Sequence, residues 1–306
     1  MNYLDGSRIL ITGASGFIGK NLLERLHSNP CIHLRCVDRK SGDLKDPNFC
    51  NYVTSNIDIV FHCAANSSGI YTAEKDHISL MYDNTIMNMH MLEKAYDNKV
   101  KKFVWLASTT GYPELDTPVM EDQLFEGTPH KSYAAVGEMK RYIEKVCKLF
   151  SERTGRNLPC VVLRPSNIYG PHDKLDPKRS HVLTALICKF LSNTPDIEIW
   201  GDGEDQRDVL YISDLIDAML IATEVVNTYN PINIAYGKSF SIIELFNIIK
   251  KILQDRRQFK LVAGMPRAIP KRLVSIQKAK NLLGWSPKID IEDGIRKSIE
   301  WINTNS

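Results

Sequence analysis

Three features of the sequence predict an α/β chain built on a doubly wound parallel sheet, with a smaller α/β region after it. Short runs rich in Val, Ile and Leu alternate with amphipathic stretches over the first two-thirds of the chain. A glycine-rich turn joins the first run to the first helix, and beyond Pro165 the alternation gives way to turn-rich segments. The expected division is residues 1–165 for a dinucleotide-binding unit and 166–306 for a substrate-binding region.

In order, the expected strands are "RILIT", "IHLRCVD", "IDIVFHCA", "KKFVWLAS" and "LPCVVLRP". Each is short and apolar, as a strand covered on both faces must be. Between them, "GKNLLERLHS" and "NTIMNMHMLEKAYDNK" carry helical periodicity. In the second part, helices are expected near 182–193, 213–226 and 241–253, with a last one in "EDGIRKSIEWIN", between turns such as "YGPHDKLDPKRSH" and "WGDGEDQRD".

The turn "TGASGFIG" places Gly13, Gly16 and Gly19 between strand and helix. The first allows a tight turn, the second lets backbone approach a pyrophosphate, and the third lets helix pack on strand, with the helix N-terminus facing the anion. The next strand ends at Asp38, nineteen residues beyond Gly19. A carboxylate there accepts hydrogen bonds from the adenosine ribose and repels a 2′-phosphate, which favours NAD. Arg39 and Lys40 follow at once and suit a 2′-phosphate, so NADP stands as the second choice.

Composition narrows the partners. Apolar residues are 43% and charged residues 25% of 306, with a net charge of +3, which points to a small molecule and away from nucleic acid or membrane. The seven cysteines are scattered without a CxxC pair, so neither a disulfide framework nor a metal site is expected. The absence of a signal-like start or a long apolar span gives the expectation of a soluble, cytoplasmic protein.

With "TGASGFIG", "HCAA" at 62–65, "LAST" at 106–109 and "LRPSNIYGP" at 163–171 in this order, the chain resembles the extended short-chain dehydrogenase/reductase family of nucleotide-sugar enzymes. Within it, "YGPHDKLDPKRSHVL" and "IEIWGDGEDQRDVLYISDL" resemble the GDP-L-fucose synthase branch. The resemblance implies a Rossmann-type fold, a homodimer formed through the helices near 85–97 and 133–150, and NAD(H)-dependent chemistry on a GDP-linked sugar of surface-polysaccharide biosynthesis. It implies that Gly13, Ser15, Gly16, Phe17, Ile18 and Gly19 hold the cofactor phosphates, with Asp38 and Arg39 at the ribose. Asp43 and Leu44 would lie at the adenine edge, and Ala64 and Ala65 under the nicotinamide half.

On the substrate side the resemblance implies Ser108 as the active-site hydroxyl, with Thr109 beside it and Asn167 next to the sugar. His181 matches an acid, Lys189 a basic residue near substrate, Trp200 and Arg207 a pair that holds the GDP, and Arg272, with Lys271, loosely a basic segment near the phosphates. An Arg suits a diphosphate because its planar fork donates to two oxygens at once. Each of Trp200, Arg207 and His181 also has a purely structural reading, as core packing, a surface ion pair and a satisfied histidine.

The family sets a Tyr and a Lys one helical turn apart; "SYAAVGEMKRYIEKV" breaks that pair. Either Tyr133 is the family Tyr and Gly137 the lost lysine, or Lys140 is the family Lys and Val136 the lost tyrosine; the continuation to Glu144 favours the second. Tyr133 then stands seven residues before Lys140, nearly on the same helical face and roughly 10 Å away along the axis. Two readings of Tyr133 stand: it leans toward the sugar to handle the proton, or it packs at the helix start behind Ser132 as N-cap. Gly137 inside the helix, at a cost on the order of 1 kcal/mol relative to Ala, signals a close approach to the backbone. Where the fucose synthases carry an epimerising cysteine the chain has Thr110, which is a poor base. The expected activity is therefore interconversion of hydroxyl and ketone at C4 of a GDP-linked hexose, deoxyhexose or heptose. A 4-epimerase with retained NAD and a redox-dead nucleotide-binding regulator are the alternatives.

Overall fold

The computed structural model describes residues 2–66, 77–152, 156–176, 180–264 and 269–305. Five strands follow the expected runs: β1 (Arg8–Thr12), β2 (His33–Val37), β3 (Ile59–His62), β4 (Lys102–Leu106) and β5 (Cys160–Pro165). With β9 (Ile232–Ile234) they form a six-stranded sheet in the order β2-β1-β3-β4-β5-β9, parallel at every pairing. The fold is a Rossmann-type α/β architecture, as the alternation predicts.

Side chains alternate across this sheet, so each strand feeds two cores. On one side Ile9, Ile11, Phe61, Val104, Leu106, Val161 and Leu163 meet α1 (Phe17–His27) and α6 (Ile212–Val225). On the other, Leu10, Val60, Phe103, Trp105, Cys160 and Val162 meet α2 (Pro47–Thr54), α3 (His77–Asp97) and α4 (Ala134–Glu152). Burial on both faces is why the strands read as unbroken apolar runs.

The later part of the chain adds β6 (Asn167–Tyr169), α5 (Val182–Leu191), β7 (Ile197–Trp200), β8 (Gln206–Tyr211), β10 (Ser239–Ser241), α7 (Ile242–Leu253), β11 (Phe259–Val262), α8 (Gln277–Leu283) and α9 (Ile291–Asn305). β10, β8 and β6 make one small sheet; β11 and β7 make a parallel pair. Two elements from beyond residue 165 belong to the large sheet's layers: β9 extends it beside β5, and α6 covers it.

A buried charge network ties β5, α4 and β9 together. Arg164 donates through Nε to Glu144 Oε2 at 3.0 Å and through Nη2 to Glu144 Oε1, while Nη1 donates to the Tyr112 hydroxyl at 2.6 Å and the Glu121 carbonyl at 2.7 Å. Tyr112 donates to Asn233 Oδ1 at 2.6 Å, and the Tyr229 hydroxyl donates to Glu144 Oε1 at 2.8 Å. Both charged side chains are 1% exposed. Losing one partner from such a pair leaves an uncompensated interior charge, so Glu144→Ala is expected to lower the unfolding free energy by about 3–5 kcal/mol. Urea denaturation reads this directly, and a loss under about 1 kcal/mol contradicts it.

Candidate active site

The strand order reverses between β2-β1 and β3, and in a doubly wound sheet the crevice at that reversal, beyond the strand C-termini, is where ligands lie. The glycine turn closes over it. Gly13 has φ +66°, and a Cβ there would stand 2.7 Å from the Ala64 Cα; a Cβ on Gly19 would stand 2.2 Å from the Gly13 carbonyl oxygen. Both contacts exclude a side chain, so the turn lies flat against the end of β3 and helix α1 presses against it. Gly16 caps α1 without a side-chain hydrogen bond, leaving the first amides of the helix for an anion. These features fit the pyrophosphate of a dinucleotide.

Ser15 and Gly16 are exposed, and Phe17 and Ile18 are half-buried against the core. Asp38 follows β2, and its Oδ1 accepts the Lys40 amide at 2.9 Å and the Ser41 amide and hydroxyl at 3.2 Å each. The Lys40 amide first, with the Ser15 hydroxyl next, holds the Asp38 carboxyl below the usual range. Arg39 and Lys40 point to solvent. Asp43 is exposed and accepts the Lys45 amide at 2.9 Å; Leu44 is buried beneath the loop. Ala65 is exposed, and the Ala64 amide donates to Thr12 Oγ1 at 3.2 Å, the oxygen that lies 2.7 Å from Nδ1 of buried His62.

Lys140 reaches this mouth from α4. Its Nζ donates to the Leu106 carbonyl at 2.8 Å, at the end of β4, and lies 4.8 Å from the centre of the Trp105 ring. Burial pushes its ammonium down to about 8, and no carboxylate pairs with it among the described residues. Burial first, then Lys140, pushes His62 down to about 3. Ser108 follows β4 by two residues, and its Oγ accepts the Thr110 amide and hydroxyl, each at 3.1 Å. That leaves the Ser108 proton for a further acceptor. Thr109 is buried beside it.

The glycine at 137 sits in a tight contact. A Cβ there would stand 2.7 Å from Pro129 Cβ and 2.8 Å from the Thr110 carbonyl. A side chain at 137 does not fit, whereas the Lys140 ammonium reaches the end of β4. Tyr133 closes a 3-10 turn, Lys131–Tyr133, ahead of α4. Ser132 lies inside that turn and is not its N-cap; His130 Nδ1 takes the Ser132 amide instead. Burial raises the Tyr133 phenol, Arg207 and Arg272 oppose this and Asp205 adds to it.

The substrate-side residues fall into groups. Arg207, buried on β8, donates to the Ile269 carbonyl at 2.7 Å and pairs with Asp205 at 3.1 Å. Arg272, also buried, donates to the carbonyls of Pro113 at 2.8 Å and Tyr112 at 3.2 Å, and burial pushes it down to about 10. Lys271 bridges to Gln206 in the same seam. Asn167 Nδ2 donates to the Asp208 carbonyl at 3.0 Å. Lys189 Nζ donates to the Glu198 carbonyl at 2.6 Å and covers the half-buried Trp200 ring at 5.4 Å. His181 caps α5, half-exposed, with Nδ1 3.6 Å from Asp173. Sequence reasoning passed over Trp105 as a wall for Lys140, although the alternation of "KFVWL" puts it on the face that α4 covers.

The family model described as "NAD dependent epimerase/dehydratase family" matches residues 9–235. GDP-L-fucose synthase of Escherichia coli K12 is 28% identical over 314 aligned residues, covering 97% of this chain and 97% of that enzyme. GDP-mannose 3,5-epimerase 1 of Oryza sativa subsp. indica is 30% identical, covering 96% and 81%. Among solved structures, a GDP-L-fucose synthetase from Naegleria fowleri bound to NADP superposes with a TM-score of 0.86 at 26% identity, covering 98% of this chain and 94% of that one.

Asp208, under Asn167, gives the site a pH signature. It is fully buried, and burial pushes it up to about 6 despite the nearby Ser166 hydroxyl and the Tyr236 and Gly237 amides, which it accepts at 2.8 Å each. The unfolded carboxyl titrates near 3.9, so between these values the native state holds the extra proton. The stability it contributes is complete below the unfolded value and lost as pH rises through about 6. Measured against Asp208→Asn, the wild type is expected to lose about 3 kcal/mol of unfolding free energy from about pH 4 to pH 7. Parallel curves for the two proteins contradict this.

Proposed function

The chain belongs to the NAD dependent epimerase/dehydratase family, and on that footing we propose that it is an NAD-dependent oxidoreductase interconverting a hydroxyl and a ketone, at C4, of a GDP-linked sugar. The observation that carries this reading is the placement of Lys140: a half-buried ammonium at the end of β4, in the same sheet whose β1 leads into a glycine turn shaped for a dinucleotide. A bound nicotinamide supplies the hydride chemistry. Gly13, Gly16 and Gly19 hold its pyrophosphate and Lys140 its nicotinamide ribose. Ser108 donates to the sugar oxygen, Asn167 borders the sugar, and Trp200 with Arg207 and Arg272 form the wall for the GDP.

NAD is favoured over NADP because the Asp38 carboxylate stays ionised where a 2′-phosphate would lie. Removing that charge while Arg39 and Lys40 remain should invert the preference. Asp38→Ala is expected to improve NADPH affinity relative to NADH by at least about tenfold, the worth of one close charge contact. Fluorescence titration with both dinucleotides measures it, and a wild type that already prefers NADPH overturns the choice of NAD. Assays with GDP- and UDP-linked sugars then test the substrate class. Double epimerisation at C3 and C5 is disfavoured because Thr110 occupies the expected base position and its hydroxyl is bonded to Ser108.

A homodimer through α3 and α4 is part of the proposal. Ile78, Met81 and Tyr82 lie exposed along one face of α3, and Tyr142 and Leu149, two turns apart, are exposed on α4. Tyr142→Glu with Leu149→Glu is expected to convert a dimer into a monomer in light scattering. An unchanged mass places the subunit contact elsewhere.

A further inference from the structure

The proposed oxidoreductase reaction needs a proton donor for the sugar oxygen, and the helix that should supply a tyrosine supplies Val136. We propose that Lys140 is itself the catalytic acid and base, exchanging the proton with the sugar oxygen that Ser108 holds. This rests on the oxidoreductase reading above and names the group that moves its proton.

Four observations lead there. First, a carboxylate at i+4 on a helix can pair with a lysine, and Glu144 stands at that position relative to Lys140. Here Glu144 is committed elsewhere: both oxygens face Arg164, and one also takes the Tyr229 hydroxyl. Among the described residues the Lys140 ammonium meets a carbonyl and an indole face, neither of which neutralises it.

Second, the groups that face Lys140 from the packed elements do not titrate in its place. From β3, His62 is held neutral by burial and engages Thr12 through Nδ1. From its own helix, Cys147 is buried with its thiol raised and bonded toward Cys160 of β5. From β4 come only Trp105 and the Leu106 carbonyl. Removed from water without an anion, an ammonium loses its proton more readily, and Lys140 comes down to about 8, where a donor near neutral pH is most effective.

Third, Tyr133 is drawn the other way. Burial raises its phenol and Asp205 adds to this, outweighing the opposing Arg207 and Arg272, which is opposite to what an acid or base near neutrality requires. Fourth, Gly137 pins α4 against Thr110 and Pro129, so the helix cannot slide by the two turns that would bring Tyr133 to the Lys140 position.

In the reducing direction a bound dihydronicotinamide would supply the hydride that forms the C–H bond at the ketone carbon, and the carbonyl π pair would move to oxygen. That oxygen takes a proton from the Lys140 ammonium as the N–H bond breaks, and the neutral amine regains its proton from solvent. The sugar is reduced and the nicotinamide oxidised; the reverse direction runs each step backward. Reduction should therefore slow as pH rises through about 8, and oxidation should slow as pH falls through it.

Two measurements test this. Competitive acetylation of the cofactor-free protein, read by mass spectrometry across pH, follows the free-amine fraction of Lys140. A midpoint near 8 is expected, and one near the ordinary lysine value of about 10.4 overturns the proposal. Lys140→Arg retains a cation that does not titrate near neutrality. It is expected to bind NADH within about threefold of wild type while single-turnover hydride transfer falls by about 100-fold or more and loses its pH midpoint. Hydride transfer within about tenfold of wild type in Lys140→Arg overturns the proposal, and so does a Tyr133→Phe variant in which the pH midpoint disappears. A wild type that transfers no hydride to any GDP-keto-sugar removes the oxidoreductase reading and this proposal together, whereas turnover that survives Lys140→Arg removes the proposal alone.

Discussion

The pairing of Arg164 with Glu144 inside the protein governs most of what surrounds it. Arg164 leaves the C-terminal end of β5, beside the edge strand β9, and meets α4 at Glu144, the loop at Tyr112 and Glu121, and through Tyr112 the β9 residue Asn233. A buried ion pair of this kind contributes little net stability, because desolvation offsets the attraction, but it is costly to break. Its effect is to hold α4 and the loop after β4 in one relation. That relation sets both the contact of Gly137 with Thr110 and the entry of Lys140 to the end of β4. It also takes from Lys140 the carboxylate that would otherwise sit one helical turn away.

The large sheet was legible because its physics is local. "RILIT", "KFVWL" and "CVVLRP" need only be apolar on both faces, and the structure gives each a strand. The glycine turn was equally readable, since Gly13 and Gly19 meet backbone where no side chain has room. The short strands β6, β9 and β10 escaped, each only three residues long and set by long-range pairing. β9 shows the reason most directly: "INI" lies far along the chain from β5, and nothing in its own residues announces that it completes the first sheet.

At the site, legibility stopped where a residue's role depends on which way its side chain faces. Helical arithmetic brought Tyr133 and Lys140 nearly onto one face, but Tyr133 belongs to a 3-10 turn that precedes the helix, and its angular step differs. The phenol accordingly keeps company with Arg207 and Arg272. The arginines were readable as cations but not as buried ones, each already donating to backbone carbonyls, Arg207 to Ile269 and Arg272 to Pro113. On the proposed reading, a diphosphate arriving there would meet guanidinium groups whose orientation is already set, which would reduce the ordering cost of binding it.

Loss of the tyrosine and burial of the lysine bear on each other. In a Tyr/Lys pair the ammonium must stay charged to lower the phenol's affinity for its proton, and a lysine drawn down by burial would do this poorly. On the proposed alignment, with Val136 in the tyrosine's position, that demand would be absent, and the residue one helical turn before Lys140 is apolar. A lysine that carries both ribose binding and proton exchange must alternate between charged and neutral forms within each turnover. The Leu106 carbonyl suits that alternation, because it accepts a hydrogen bond from either form and, unlike a carboxylate, does not bind the charged form so tightly that the proton cannot leave.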